Sequence, residues 1–181
     1  MNMQEEIYVL RIGHRIERDK RVTTHVGLVA RAFGAKGIFI TNAENEIKSK
    51  IDQVTRIWGG PFICELIDGD WKKFILNWKN ENGIIIHLTM YGLPVEEKID
   101  EIRLRKEKKL VVVGAEKVPN ELYYLSDYNI SITNQPHSEI AALALFLDRF
   151  YSGKELSLKF SNAKLKIVPM ERGKKVIESR I

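Results

Sequence analysis

The chain has 181 residues, enough for one domain with a sizeable core, and its 44% hydrophobic and 29% charged content is that of a soluble globular chain. No apolar run approaches membrane-spanning length, the first eleven residues carry two glutamates and no small-residue cleavage site, and a single cysteine, Cys64, forms no internal disulfide; membrane, secreted and disulfide-framework classes are not expected, and a cytoplasmic setting is. The net charge of +5 is concentrated: residues 11–36 hold seven Lys/Arg against Glu17 and Asp19, residues 154–181 hold eight against Glu155, Glu171 and Glu178, and the rest is net negative, so two basic segments face a polyanion.

Ile7–Ile12 reads as a strand. Thr23–Phe33 reads as a helix with Thr23 or Thr24 as its N-cap and Gly34 near its end. Gly37–Ile40 is a short strand. Glu44–Trp58 spaces Ile47, Ile51, Val54 and Trp58 helically and stops at Gly59-Gly60-Pro61. Pro61–Leu66 is a strand, with Cys64 a buried structural thiol, and Asp70–Trp78 a helix behind an aspartate cap. Gly83–Leu88 is a strand, Pro94–Lys106 a helix, Leu110–Val113 a strand and Pro119–Ser126 a short helix. Asn129–Ile132 is a strand and His137–Tyr151 the long final helix; Lys164–Val168 adds one edge strand closed by Pro169. Short apolar strands alternating with helices predict an α/β fold, a parallel sheet covered on both faces, in a single domain with a basic tail.

Ligands of such sheets bind beyond the carboxyl ends of the strands. The segments there are TMYG after Leu88, GAEKVP after Val113 and TNQPHSE after Ile132. Gly92 and Gly114 allow close approach to the backbone, Glu116 and Asn134 offer hydrogen bonds to a sugar or amine, and Ser138 caps the last helix or holds a carboxylate. Neither a dinucleotide fingerprint nor a P-loop is present, which sets aside a nicotinamide oxidoreductase. Three near-neutral loops suit an adenosine-bearing ligand held through backbone groups. The four histidines (His14, His25, His87, His137) are scattered, so no metal is expected. Near the amino terminus, His14, Arg15, Arg18, Asp19, Lys20 and Arg21 fall in a charged loop, and His25, Gly27 and Arg31 sit among aliphatics on the following helix.

The segments GHRIERDKRVTTHVGLVARAFGA, WGGPF, HLTMYG, VGAEKVP, NQPHSEIAALALFLDR and KIVPMERGKKV span most of the chain, and together they resemble the archaeal tRNA cytidine-56 ribose 2′-O-methyltransferase family, a branch of the knotted SPOUT methyltransferases. The resemblance implies a SPOUT-type parallel sheet with a C-terminal trefoil knot over residues 1–153 and a small basic extension at 154–181. It implies S-adenosylmethionine as methyl donor, the ribose 2′-hydroxyl of a T-loop cytidine in tRNA as acceptor, and a homodimer in which one subunit's arginines complete the other's site. Wider SPOUT enzymes carry an asparagine, a glycine and a catalytic arginine at the spacing of His25, Gly27 and Arg31, so Arg31 is the catalytic candidate. For the cofactor the resemblance points to Leu88, Thr89, Gly92, Val113, Gly114, Ala115, Glu116, Lys117, Ile132, Asn134, His137 and Ser138. For RNA it points to Arg15, Arg18, Lys20, Arg21, His25, Arg172, Lys174 and Lys175. The alternative is a non-catalytic structured-RNA-binding module that keeps the pocket.

Overall fold

A computed structural model describes residues 6–115 and 117–179; Glu116, expected to touch the cofactor, lies outside the described residues. Six parallel strands form one sheet: β1 (Ile7–Ile12), β2 (Gly37–Thr41), β3 (Ile63–Ile67), β4 (Ile84–Pro94), β5 (Lys109–Gly114) and β6 (Tyr128–Ser131). Their spatial order is β3-β2-β1-β5-β4-β6. Ile7 and Val9 of β1, with Val111 and Val113 of β5, face one core, while Leu10, Ile12, Leu110 and Val112 face a second. Both faces are buried, which is why these strands read as unbroken apolar runs rather than alternating ones. The first core is covered by α1 (Lys20–Ala32), α2 (Asn45–Trp58), α4 (Val95–Leu104) and α6 (Glu139–Tyr151), the second by α3 (Trp71–Asn80) and α5 (Asn120–Leu125).

Two caps are the expected ones: Asp70 accepts from the Lys72 amide at 2.8 Å, and Ser138 Oγ accepts from the Ile140 amide at 3.1 Å. The first helix differs. It starts three residues before the expected position, because Thr24 Oγ1 donates back to the Lys20 carbonyl and Thr23 Oγ1 is engaged by His14 Nδ1, which places both threonines inside the helix. β4 also runs past its expected end. Ile130 of β6 pairs first with Leu88 and again with Leu93, so 89–92 bulge out as an arch. A Cβ on Gly92 would stand 2.5 Å from the Asn129 and Ile130 backbone, so only glycine allows the two chains to pass this closely.

After a 3-10 turn at Lys154–Ser157 the tail folds as an antiparallel hairpin of β7 (Leu165–Val168) and β8 (Lys175–Glu178). The expected edge strand therefore exists but pairs outside the main sheet. Its partner β8 escapes a sequence reading because Lys175–Glu178 is short and exposed, with no apolar face to mark it. The hairpin is fastened to the end of α2 by reciprocal N–H···O bonds between Gly60 and Ser161 and by the Lys164 amide on the Ile57 carbonyl.

Candidate active site

A cleft of about 780 Å³ opens at the carboxyl ends of β4, β5 and β6, a volume suited to a cofactor-sized ligand. Of the expected cofactor residues, Leu88, Thr89, Gly114, Ala115, Lys117, Ile132, His137 and Ser138 line it. Three do not. Val113 is 1% exposed and belongs to the core. Gly92 serves the chain crossing described above. Asn134 turns its amide away to donate to the Met90 carbonyl at 2.7 Å and the Gly92 carbonyl at 3.1 Å, fastening the third loop to the arch of the first.

The floor of the cleft contains a network the sequence did not announce. His87, alternating on β4 between Ile86 and Leu88, is buried, and its Nδ1 bonds Asn129 Oδ1 at 2.9 Å. Burial pushes its pKa down, with Asn129 opposing, so the neutral ring is favoured. The ring meets Tyr123 edge-on at 4.8 Å, and the Tyr123 hydroxyl bonds Thr89 Oγ1 at 3.1 Å. The only available signal was a polar residue at an inward position of an isoleucine strand.

Arg11 holds two walls of the cleft together. Expected to face phosphate with the loop that follows, it instead lies fully buried under α1 and α6. It donates to the Gly114 carbonyl and to Glu139 Oε1, both at 2.8 Å, and both residues line the cleft. Glu139 too was missed, because its carboxylate gains meaning only from an arginine 128 positions away.

Arg31 does not line this cleft. α1 runs back along the sheet, and just beyond it the Lys36 amide bonds the Ile7 carbonyl at the amino end of β1, so Arg31 stands at the opposite end of the sheet from the cleft. It is 6% exposed; Nε and Nη2 donate to the Gly59 carbonyl at 3.2 and 2.5 Å, and its Cζ lies 4.4 Å from the Phe160 ring centroid. Burial pushes its pKa down, and among the described residues no carboxylate pairs with it. His25, six positions earlier, is exposed on another face, and a Cβ on Gly27 would stand 2.4 Å from Ile51 Cδ1, so Gly27 serves the contact of α1 with α2.

Of the expected RNA contacts, Arg18, Arg21, His25, Arg172, Lys174 and Lys175 are exposed. Arg15 is bound to Asp19 by bonds of 2.9 Å, holding that carboxyl at about 2, and Lys20 pairs with Glu46. Among the described residues no group of three or more His, Cys, Asp or Glu could hold a metal ion, and no helix is long and apolar enough to cross a membrane.

Residues 58–177 match the family described as tRNA ribose 2′-O-methyltransferase, aTrm56. The tRNA (cytidine(56)-2′-O)-methyltransferase of Thermococcus kodakarensis is 55% identical over 97% of this chain and 99% of its own. The enzyme of that name from Staphylothermus marinus is 57% identical over 94% and 92%. The chain belongs to this family.

At the level of fold, it resembles the SpoU methyltransferase AviRb of Streptomyces viridochromogenes in complex with AdoMet (TM-score 0.56, 12% identity, 87% of this chain and 60% of that one). It also resembles the A. aeolicus TrmH/SpoU tRNA modifying enzyme (TM-score 0.59, 19% identity, 84% and 77%). The architecture of the chain is thus of the SPOUT class that the sequence resemblance implied. The motifs TMYG, GAEKVP and TNQPHSE, remote in sequence, all reach this cleft.

Proposed function

We propose that the chain methylates the ribose 2′-hydroxyl of cytidine 56 in the tRNA T-loop, using S-adenosylmethionine bound in the cleft. The observation that carries this reading is the cleft itself: three motif loops converge on one cavity in a chain more than half identical to enzymes named for that reaction. The residues fit the donor. The lining is mostly apolar, with backbone of 88–91, 114–115 and 132 available to an adenosine, and Lys117, Ser138 and His137 at hand for a methionine carboxylate. When bound, the donor supplies an electrophilic methyl group on a sulfonium.

The protein's part is mainly positioning, since the displacement is in-line. Arg31, short of a carboxylate, pairs with an RNA phosphate and orients the hydroxyl; as the O–C bond forms and the S–C bond breaks, releasing S-adenosylhomocysteine, the hydroxyl proton passes to solvent and Arg31 stabilises the oxygen, guanidinium itself being a poor base. Because Arg31 sits at the end of the sheet away from its own cleft, the acting unit is a homodimer in which Arg31 of one protomer meets the cleft of the other. The apolar faces of α1 and α6 are largely spent on the core within one chain, and Leu145 (45% exposed) remains outward on α6. The same reading gives residues 1–153 to the transferase domain, with a C-terminal knot supported by the Asn134-fastened arch, and 154–181 to a basic extension that contacts tRNA in the cytoplasm.

The test is transfer of a labelled methyl group to unmodified archaeal tRNA, with the product mapped. Label at cytidine 56, lost when that residue is 2′-deoxy, is expected. Arg31→Ala should abolish transfer while binding of S-adenosylhomocysteine survives. Tight binding of donor and tRNA without transfer would leave only an RNA-binding module.

A further inference from the structure

Two segments close around the Arg31 side chain: the turn Trp58-Gly59-Gly60-Pro61 and residues 160–163 of the tail. The Gly59 carbonyl accepts two of its N–H groups, and the Phe160 ring lies 4.4 Å from Cζ. The segments are bound to each other, Gly60 and Ser161 exchanging N–H···O bonds of 2.9 and 3.1 Å and Ser161 Oγ donating to the Gly60 carbonyl at 2.9 Å. Gly59 has φ +91°, and a Cβ there would stand 2.6 Å from the Ser161 carbonyl oxygen and 2.9 Å from Phe160 Cβ. Glycine is thus required both for the turn and for the approach of the tail.

The chemistry of this seat is selective. A carboxylate beside Arg31 would fix the guanidinium but cancel the charge that draws a phosphate. An aromatic face fixes its plane and leaves the charge whole. Nη1 makes no hydrogen bond among the described residues and is not sealed from solvent, so it remains free for an outside acceptor. We propose that Phe160 is a positioning residue for Arg31, its ring holding the guanidinium plane so that the free N–H groups point at the ribose–phosphate of the substrate. The inference rests on the reading that Arg31 serves methyl transfer. It gives the WGGP turn and the start of the tail a part in turnover.

The experiment compares Phe160→Leu with Phe160→Tyr under saturating donor and tRNA. Leucine keeps apolar bulk and removes the π face; tyrosine keeps both. Phe160→Leu should lower kcat about tenfold, between the sizes of an exposed and a desolvated cation–π contact. KM for the donor, affinity for S-adenosylhomocysteine and melting temperature should stay near wild type, and Phe160→Tyr should restore most of the turnover. Should leucine lower the melting temperature, Phe160→Met serves as a second flexible apolar replacement. Full activity in Phe160→Leu, or equal losses in the leucine and tyrosine variants, would overturn the proposal. So would loss of donor affinity in step with kcat, which a merely structural tail would give. An active Arg31→Ala would remove the catalytic reading and this inference together, whereas an inactive Arg31→Ala beside a fully active Phe160→Leu would remove only the inference.

Discussion

Glu155 is held under conditions a carboxylate resists. It is 2% exposed, and neither oxygen has a hydrogen-bond partner among the described residues. Burial, with the neighbouring Asp148 carboxyl adding to it, raises its pKa. Native Glu155 therefore keeps its proton to higher pH than the unfolded chain does, and stability declines as pH climbs through the native value. Glu155→Gln mimics the neutral acid. It should match wild type near pH 4 and exceed it near pH 8, where the native carboxyl must ionise without a partner. Urea unfolding at the two pH values checks this; a gain independent of pH would show that ionisation is not the cause. Arg11 presents the reverse case, a buried charge well satisfied. Glu139→Ala would strand it, costing about 2–3 kcal/mol, below the usual figure for sealed pairs because Glu139 is already 28% exposed. The cost should appear in denaturation midpoints and, since Glu139 and Gly114 wall the cleft, in weaker binding of S-adenosylhomocysteine.

Between elements, two glycines make the clearest contrast. A Cβ on Gly27 meets the tip of the Ile51 side chain, which can rotate, while a Cβ on Gly92 meets the backbone of β6, which cannot. Gly27→Ala should cost about 1–2 kcal/mol, within the usual range of overpacking, and Gly92→Ala distinctly more. Only the second should also damage cofactor binding, because the arch it closes carries Thr89 and Met90 into the cleft. Thermal unfolding with and without S-adenosylhomocysteine separates the two. All six strands of the main sheet were legible in the sequence: the central ones are apolar runs because both their faces are buried, and the edge strands β3 and β6 are short segments set off by turn residues. What was not legible is what depends on meetings between distant residues. Gly92 reads as a cofactor contact until Asn129 is seen behind it, and Asn134 until its amide is found on the arch carbonyls. Arg11 reads as part of a basic loop until Glu139 is found above it. The motif residues Gly114, Ala115, His137 and Ser138 reach the cleft because loops after parallel strands have only one end of the sheet to occupy.

For the molecule as a whole, charge is the remaining organiser. The β7–β8 hairpin exposes Arg172, Lys174 and Lys175, and it is tied to α2 through backbone bonds of Gly60, Ser161 and Lys164 rather than through those side chains. Removing the whole tail would therefore confound RNA binding with the seat of Arg31, whereas replacing the three basic residues by glutamine leaves the fastening intact. If the hairpin contacts phosphates, each contact contributes about −0.9 (duplex) or −0.7 (single strand) to the slope of log affinity against log salt. The triple variant should bind tRNA more weakly at low salt, with a slope shallower by about 2–3 on that scale. Its affinity for S-adenosylhomocysteine should be unchanged, since none of the three lines the cleft. Titrations of labelled tRNA at several salt concentrations measure the slope directly. An unaltered slope would place the phosphate contacts elsewhere, on other exposed basic residues such as Arg18 before α1 and Arg21 in its first turn.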